Sequence, residues 1–118
     1  MTSNEIGKFG EDAACDYLER LGYEIIERNF RMKTGEIDII ARDGGCTVFA
    51  EVKTRRSNKF ANASEYVDFR KTEHIRTTAM LYIGSSDTEV RFDVIEVYYG
   101  IAGGKATVTD INHLKAAF

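Results

Sequence analysis

The 118 residues include no proline, two cysteines, two histidines and no apolar run long enough to span a bilayer. The missing proline decides nothing about function. Cys15 and Cys46 lack C-x-x-C spacing and a matching histidine pair, so a zinc site is not expected and reduced cytosolic thiols are. His74 and His113 stand isolated, and a histidine on a helix flank is more often a surface or packing residue than a ligand. With no stretch of about 20 apolar residues and no signal-peptide core in residues 1–20, a cytoplasmic protein without a membrane partner is expected. No repeat or low-complexity linker divides the chain, and its length suits one domain, 1–118, with one modest core. A net charge of −3 argues against a protein that coats nucleic acid non-specifically.

What the chain does have is concentrated in Gly35 to Arg56, GEIDIIARDGGCTVFAEVKTRR. Two β-type runs, 36–41 and 47–54, flank Asp43-Gly44-Gly45, a hairpin turn chemistry that needs positive φ. Side chains alternate along a strand, which predicts Glu36, Asp38 and Ile40 on one face and Ile37, Ile39 and Ala41 on the other. In the second run Phe49, Glu51 and Lys53 share a face opposite Val48, Ala50 and Val52. Charged residues inside apolar strands are the anomaly, because a carboxylate there must be paired or metal-bound. Two carboxylates 4 Å apart repel by roughly 4 kcal/mol at an effective dielectric near 20. A divalent cation turns that repulsion into attraction, and carboxylate oxygens are ligands that Mg²⁺ favours. A nearby lysine can then meet a phosphate or position a water. Asp38, Glu51 and Lys53 thus read as a hydrolytic site for phosphodiesters, with a plain Asp38–Lys53 cross-strand ion pair as the alternative. Without a metal, crowding predicts carboxylate pKa values that rise, offset in part by Lys53.

Around this centre the local charge is basic. Lys53, Arg55, Arg56 and Lys59 stand within seven residues without an acid, and Arg28, Arg31 and Lys33 precede the hairpin. Such a rim suits a nucleic-acid backbone, and an ordinary solvated loop is the competing reading. Residues 4–21 have the period of an amphipathic helix, with Ser3 or Asn4 to cap it and Gly22 to end it. Glu11 falls at the edge of its apolar stripe, beside Leu18, within reach of a sheet surface. Tyr23 to Asn29 reads as a strand, completing a three-stranded antiparallel meander, and 57–63 reads as a loop. A second helix is predicted from about Phe69 to Ile83, with Asp68 as N-cap and Ile75, Ala79, Tyr82 and Ile83 as its stripe. Arg70 and Lys71 occupy its first turn, where the macrodipole disfavours cations. A substrate phosphate nearby would explain them, as would pairing with Glu65 or Glu73. Val90 to Tyr98 alternates as a strand, 107–111 reads as a short fifth strand, and 113–118 as a helical turn anchored by Leu114 and Phe118.

A glutamate on a first helix, then Asp38, then Glu51-Val52-Lys53, in the order αβββαβ, resembles the PD-(D/E)xK nuclease superfamily. More closely, GKFGEDAA at 7–14, NFR at 29–31, GEIDIIARD at 35–43, FAEVKTR at 49–55 and RFDVI at 91–95 resemble the YraN family. That family comprises small bacterial proteins similar to archaeal Holliday junction resolvases. The resemblance covers nearly the whole chain; relatives often carry proline at the start of the second helix, where Phe69 stands here. It implies an α/β, restriction-endonuclease-like mixed sheet flanked by helices, αβββαβ with a further strand. It also implies Mg²⁺ or Mn²⁺ and hydrolysis of DNA, branched or single-stranded, by an endonuclease for which a homodimer is a compatible assembly. On this reading Asp38, Glu51 and the Val52 carbonyl hold the metal, Glu11 orients a metal-bound water or binds a second ion, and Lys53 acts on the attacking water and phosphoryl charge. Arg55, Arg56, Arg70 and Lys71 are the expected backbone contacts. The alternatives are a nucleic-acid-binding module that keeps the fold without turnover, and an interaction protein working through an edge strand at 91–98.

Overall fold

The computed structural model describes residues 1–57 and 69–118; Lys59, Glu65, the proposed cap Asp68 and the loop reading for 58–63 lie outside the described residues. Helix α1 (Ser3–Arg20) is capped by Thr2, one residue earlier than expected. The Thr2 hydroxyl accepts from the Glu5 N–H and the Glu5 carboxylate accepts from the Thr2 N–H, each at 3.1 Å. This reciprocal pair satisfies two backbone donors that a helix start otherwise leaves open. The helix gives way at Gly22, whose φ of 92° is a conformation glycine adopts freely. Leu21, the last residue of the expected helix, is half exposed, while Cys15 takes a buried place beside Ala14 and Leu18.

Strands β1 (Glu24–Met32), β2 (Gly35–Asp43) and β3 (Cys46–Arg56) form the expected antiparallel meander. Helix α2 (Phe69–Ile83) then carries the chain to β4 (Glu89–Ala102), which pairs parallel to β3. Strand β5 (Lys105–Leu114) returns antiparallel to β4 and is ten residues long, twice the expected length. It absorbs His113 and Leu114 from the expected helical turn. The sheet order is β1-β2-β3-β4-β5, so the 91–98 segment is interior and is not the edge strand of the interaction reading.

The helices cover opposite faces. Against α1 pack Ile39, Ala41, Val48, Ala50, Ile95 and Val97. Against α2, through Ile75 and Ala79, pack Ile37, Ile40, Phe49 and Phe92, with Phe118 closing the layer. A mixed sheet between two helices in the order αβββαββ is a restriction-endonuclease-like fold. Strict alternation fails in two places. A bulge between Ile25 and Glu27 puts Arg28 on the α1 side, where it meets Asp12 at 2.7 Å. In β2, Ile37 joins Ile40 in the α2 layer while Ile39 and Ala41 face α1, so the strand changes face across Asp38. Asn29, between the partners of Ile37 and Ile39 on β1, takes φ 52° at the same step, a conformation asparagine tolerates better than most residues. The proposed shared face of Glu36, Asp38 and Ile40 is therefore corrected.

Candidate functional site

The face change at Asp38 opens the sheet. Pairing of β2 with β3 runs from Asp43 opposite Cys46 to Ile39 opposite Ala50 and stops there. Beyond that point the Asp38 carboxylate replaces a ladder partner: its Oδ2 accepts the Val52 N–H at 2.8 Å. Strand β3 continues in parallel register with β4 as far as Arg56, so Glu51 and Lys53 are fixed although β2 has left. Alternation from Phe49 places Glu51 on the α2 side, 7% exposed. Lys53 Nζ lies 3.4 Å from Glu51 Oε1, and Lys71 of α2 contacts the same oxygen from the other side. Lys53 thus pairs with the glutamate two residues back on its own strand, in place of the cross-strand pair with Asp38.

Burial pushes the Asp38 carboxyl up to about 6, against the Val52 hydrogen bond, with Glu11 and Glu51 adding to the rise and Lys71 opposing it. The upward direction is the one the sequence predicts, but desolvation, not crowding, is the larger cause, and Lys71, not Lys53, is the opposing cation. Glu11 is thereby placed in the field of Asp38. Its carboxylate is 3.8 Å from Arg28, which also bonds Asp12. Two close approaches set the helices that deliver these groups. A Cβ at Gly10 would overlap the Thr54 side chain of β3, so α1 lies tight on the sheet one residue before Glu11. A Cβ at Gly35 would press on His74 and Thr78 of α2 at 3.2 Å, one turn beyond Lys71. Thr34 and Thr78 hydroxyls bond at 2.7 Å at the same contact.

A cleft of about 590 Å³ runs from Glu11 away from the carboxylates, between the first half of α1 and the β1–β2 end, lined by Ser3, Gly7, Lys8, Arg28, Asn29 and Arg31 among others. Of the expected site acids and Lys53, Glu11 alone is among its lining. Of the expected backbone contacts, Arg56 and Arg70 are exposed. Arg55 is mostly buried and gives its guanidinium to Glu96 at 2.5 Å, while Asn112 donates to the other Glu96 oxygen at 2.7 Å.

Whether the residues fit a divalent cation rests on one atom and one count. Among the described residues Glu51 Oε1 is buried and accepts no hydrogen bond of good geometry, and the Lys53 and Lys71 ammonium groups lie against it. Among the described residues no group of three His, Cys, Asp or Glu side chains could hold a metal ion. Asp38 and Glu51 nevertheless act on one another as close carboxylates, and Mg²⁺ keeps several waters and takes one or two protein carboxylates plus substrate oxygens. By donor type the pair fits.

Sequence reasoning missed a second polar cluster on the α1 side. Asp93, wholly buried, accepts two bonds from Arg91 at 2.8 Å, one from the Ala116 N–H at 3.0 Å, and pairs with His113 Nε2 at 2.8 Å. Burial alone would raise its pKa; the bonds from Arg91, His113 and Ala116 outweigh it and hold the carboxyl below the ordinary value. Arg91 also reaches Tyr23 and Asp43, and His113 Nδ1 meets the Tyr17 hydroxyl at 3.2 Å. The signal was present as an aspartate inside the apolar run V-R-F-D-V-I, which alternation alone did not assign to a partner.

The model of the uncharacterised protein family UPF0102 matches residues 10–97, the span from the α1 glycine contact through β4. The chain belongs to the UPF0102 family. A UPF0102 protein of Caldicellulosiruptor saccharolyticus is 45% identical over the full length of both chains. One from Caldanaerobacter subterraneus is 46% identical over all of this chain and 98% of its own. A third, from Clostridium botulinum, is 52% identical over 80% of each. The UPF0102 match spans Glu11, Asp38, Glu51, Lys53 and Lys71 together. No described helix of this UPF0102 chain is long and apolar enough to cross a membrane.

Proposed function

We propose that the chain is a divalent-metal-dependent DNA endonuclease of the PD-(D/E)xK kind, acting on branched or single-stranded substrates as Holliday junction resolvases do. The observation that carries this reading is the edge where β2 leaves β3. There Asp38 and Glu51 share one electrostatic site, and a buried Glu51 oxygen faces the Lys53 and Lys71 ammonium groups. Asp38, Glu51 and the Val52 carbonyl would hold Mg²⁺ or Mn²⁺. When bound, such an ion would supply positive charge to phosphoryl oxygens and acidify water. Lys53, fixed by strand register beside Glu51, orients the attacking water and offsets charge developing on the phosphoryl oxygen. Water forms the new P–O bond, the bond to the leaving oxygen breaks, and that oxygen takes up a proton. Glu11, 3.8 Å from Arg28, would orient a metal-bound water or bind a second ion. Arg56, Arg70 and the cleft at Glu11 contact the backbone on either side, in a protein whose low net charge keeps that contact local.

Lys53→Met tests the assignment, because it keeps the apolar stem and removes the ammonium. Cleavage of branched and single-stranded DNA in Mn²⁺ is expected to fall ~100- to 1,000-fold. Affinity for the same DNA at fixed salt changes far less, since one cation among several contributes modestly. Wild-type protein that binds these substrates and cuts none of them, in either metal, assigns the chain to the non-catalytic binding module. Cutting that survives Lys53→Met unchanged keeps the enzyme and removes the role of the lysine.

A further inference from the structure

Glu51 is a poor place to leave a charge. Its side chain is 8% exposed, and its charge acts on the buried Asp38 carboxyl beside it. Desolvating a carboxylate costs several kcal/mol unless a counter-charge is held against it. Two ammonium groups serve, and their tethers differ. Lys53 is carried by β3 itself, on the same strand face as Glu51. Lys71 arrives from α2, its side chain 53% exposed, in a first turn that holds no acidic residue. The helix dipole disfavours a cation there, and contact with Glu51 helps to offset that cost. An ion of charge +2 on the oxygens of Asp38 and Glu51 would compete with that contact.

We propose that Lys71 is the countercation of the site, neutralising Glu51 until a divalent ion binds Asp38 and Glu51, then giving up that contact and turning its ammonium to a phosphate oxygen at the start of α2. This rests on the metal-dependent reading above and adds an order of events: metal first, nucleic acid second. Lys53 keeps its place throughout. The two lysines are therefore not equivalent, although both touch the same oxygen. Because the coupling is reciprocal, bound DNA tightens the metal by the factor with which metal tightens DNA.

The test uses the metal-free full-length chain at neutral pH, with thermal unfolding followed as Mn²⁺ is added. Lys71→Met is expected to reach half-saturation at roughly fivefold lower Mn²⁺ than wild type, the scale of losing one half-exposed ion pair. Lys71→Arg keeps the charge and stays near wild type. In a parallel titration with a short single-stranded oligonucleotide, Mn²⁺ raises affinity for wild type and Lys71→Arg, and that gain is lost in Lys71→Met. Equal half-saturation in wild type and Lys71→Met overturns the role of Lys71 and leaves the metal reading standing. Weaker Mn²⁺ binding by Lys71→Met has the same meaning. A wild-type melting temperature that ignores Mn²⁺ overturns both.

Discussion

Asp38 is where the chemistry of one side chain is most exposed to measurement. Its folded pKa, about 6, lies above the ordinary carboxyl value because burial opposes ionisation. The folded state therefore binds the proton more tightly than the unfolded chain, and stability falls as pH rises from the unfolded value to about 6. Above that window the penalty is complete, on the order of 3 kcal/mol for a shift of about two units. Asp12, Asp43 and Asp93 have depressed values and act oppositely, their contribution being lost as pH falls below the ordinary carboxyl range. Comparison with Asp38→Asn separates the two effects. In urea unfolding of metal-free protein, the variant gains on wild type by about 3 kcal/mol between pH ~4 and ~6.5 and no further. A constant difference across that range contradicts the buried, proton-binding Asp38. The identity of these residues was legible because acids inside apolar strands need a reason. The partners were not, since the contact of Lys71 with Glu51 depends on how α2 lies on the sheet. The cations of the first turn of α2 did imply an anion nearby, and Glu51 is one.

At the scale of elements, period and turn chemistry made both helices and the central hairpin readable, because Ile75, Ala79 and the Asp43-Gly44-Gly45 turn obey local rules. The irregular steps were not readable from alternation. The β1 bulge and the change of face at Asp38 both depend on pairing between strands, and they are what frees an aspartate from the ladder. Two element contacts are testable. Gly10→Ala places a methyl group against Thr54 and forces α1 off β3, an overpacking expected to cost about 1 to 3 kcal/mol in denaturant unfolding. An unchanged midpoint contradicts the close approach. Asp93→Ala removes the carboxylate that joins β4, β5 and the C-terminal turn, and leaves Arg91 without its closest partner. The expected loss is about 3 to 5 kcal/mol, with a smaller loss for Asp93→Asn, which keeps an acceptor. A variant within a few tenths of wild type contradicts the role of the cluster as a clamp.

In the whole molecule, two helices press on opposite faces of one sheet, and each brings a charged side chain to the strand edge left open by β2. Glu11 comes from α1 and Lys71 from α2, while Asp38, Glu51 and Lys53 come from the sheet. Composition fixed none of this, since a chain of net charge −3 does not advertise nucleic acid. The strand-borne acids and their lysine are what single out the site, and the match to the UPF0102 family spans the blocks that carry them. The central claim is that Asp38 and Glu51 make a metal site that cuts DNA. Its most direct test is the single-turnover rate of cleavage of end-labelled branched DNA in Mn²⁺, wild type against Asp38→Asn, both shown folded by their melting curves. The expected result is Mn²⁺-dependent cutting by wild type and a loss of at least ~100-fold in the variant. Cutting by Asp38→Asn at the wild-type rate contradicts the account, as does a wild type that never cuts in Mn²⁺ or Mg²⁺.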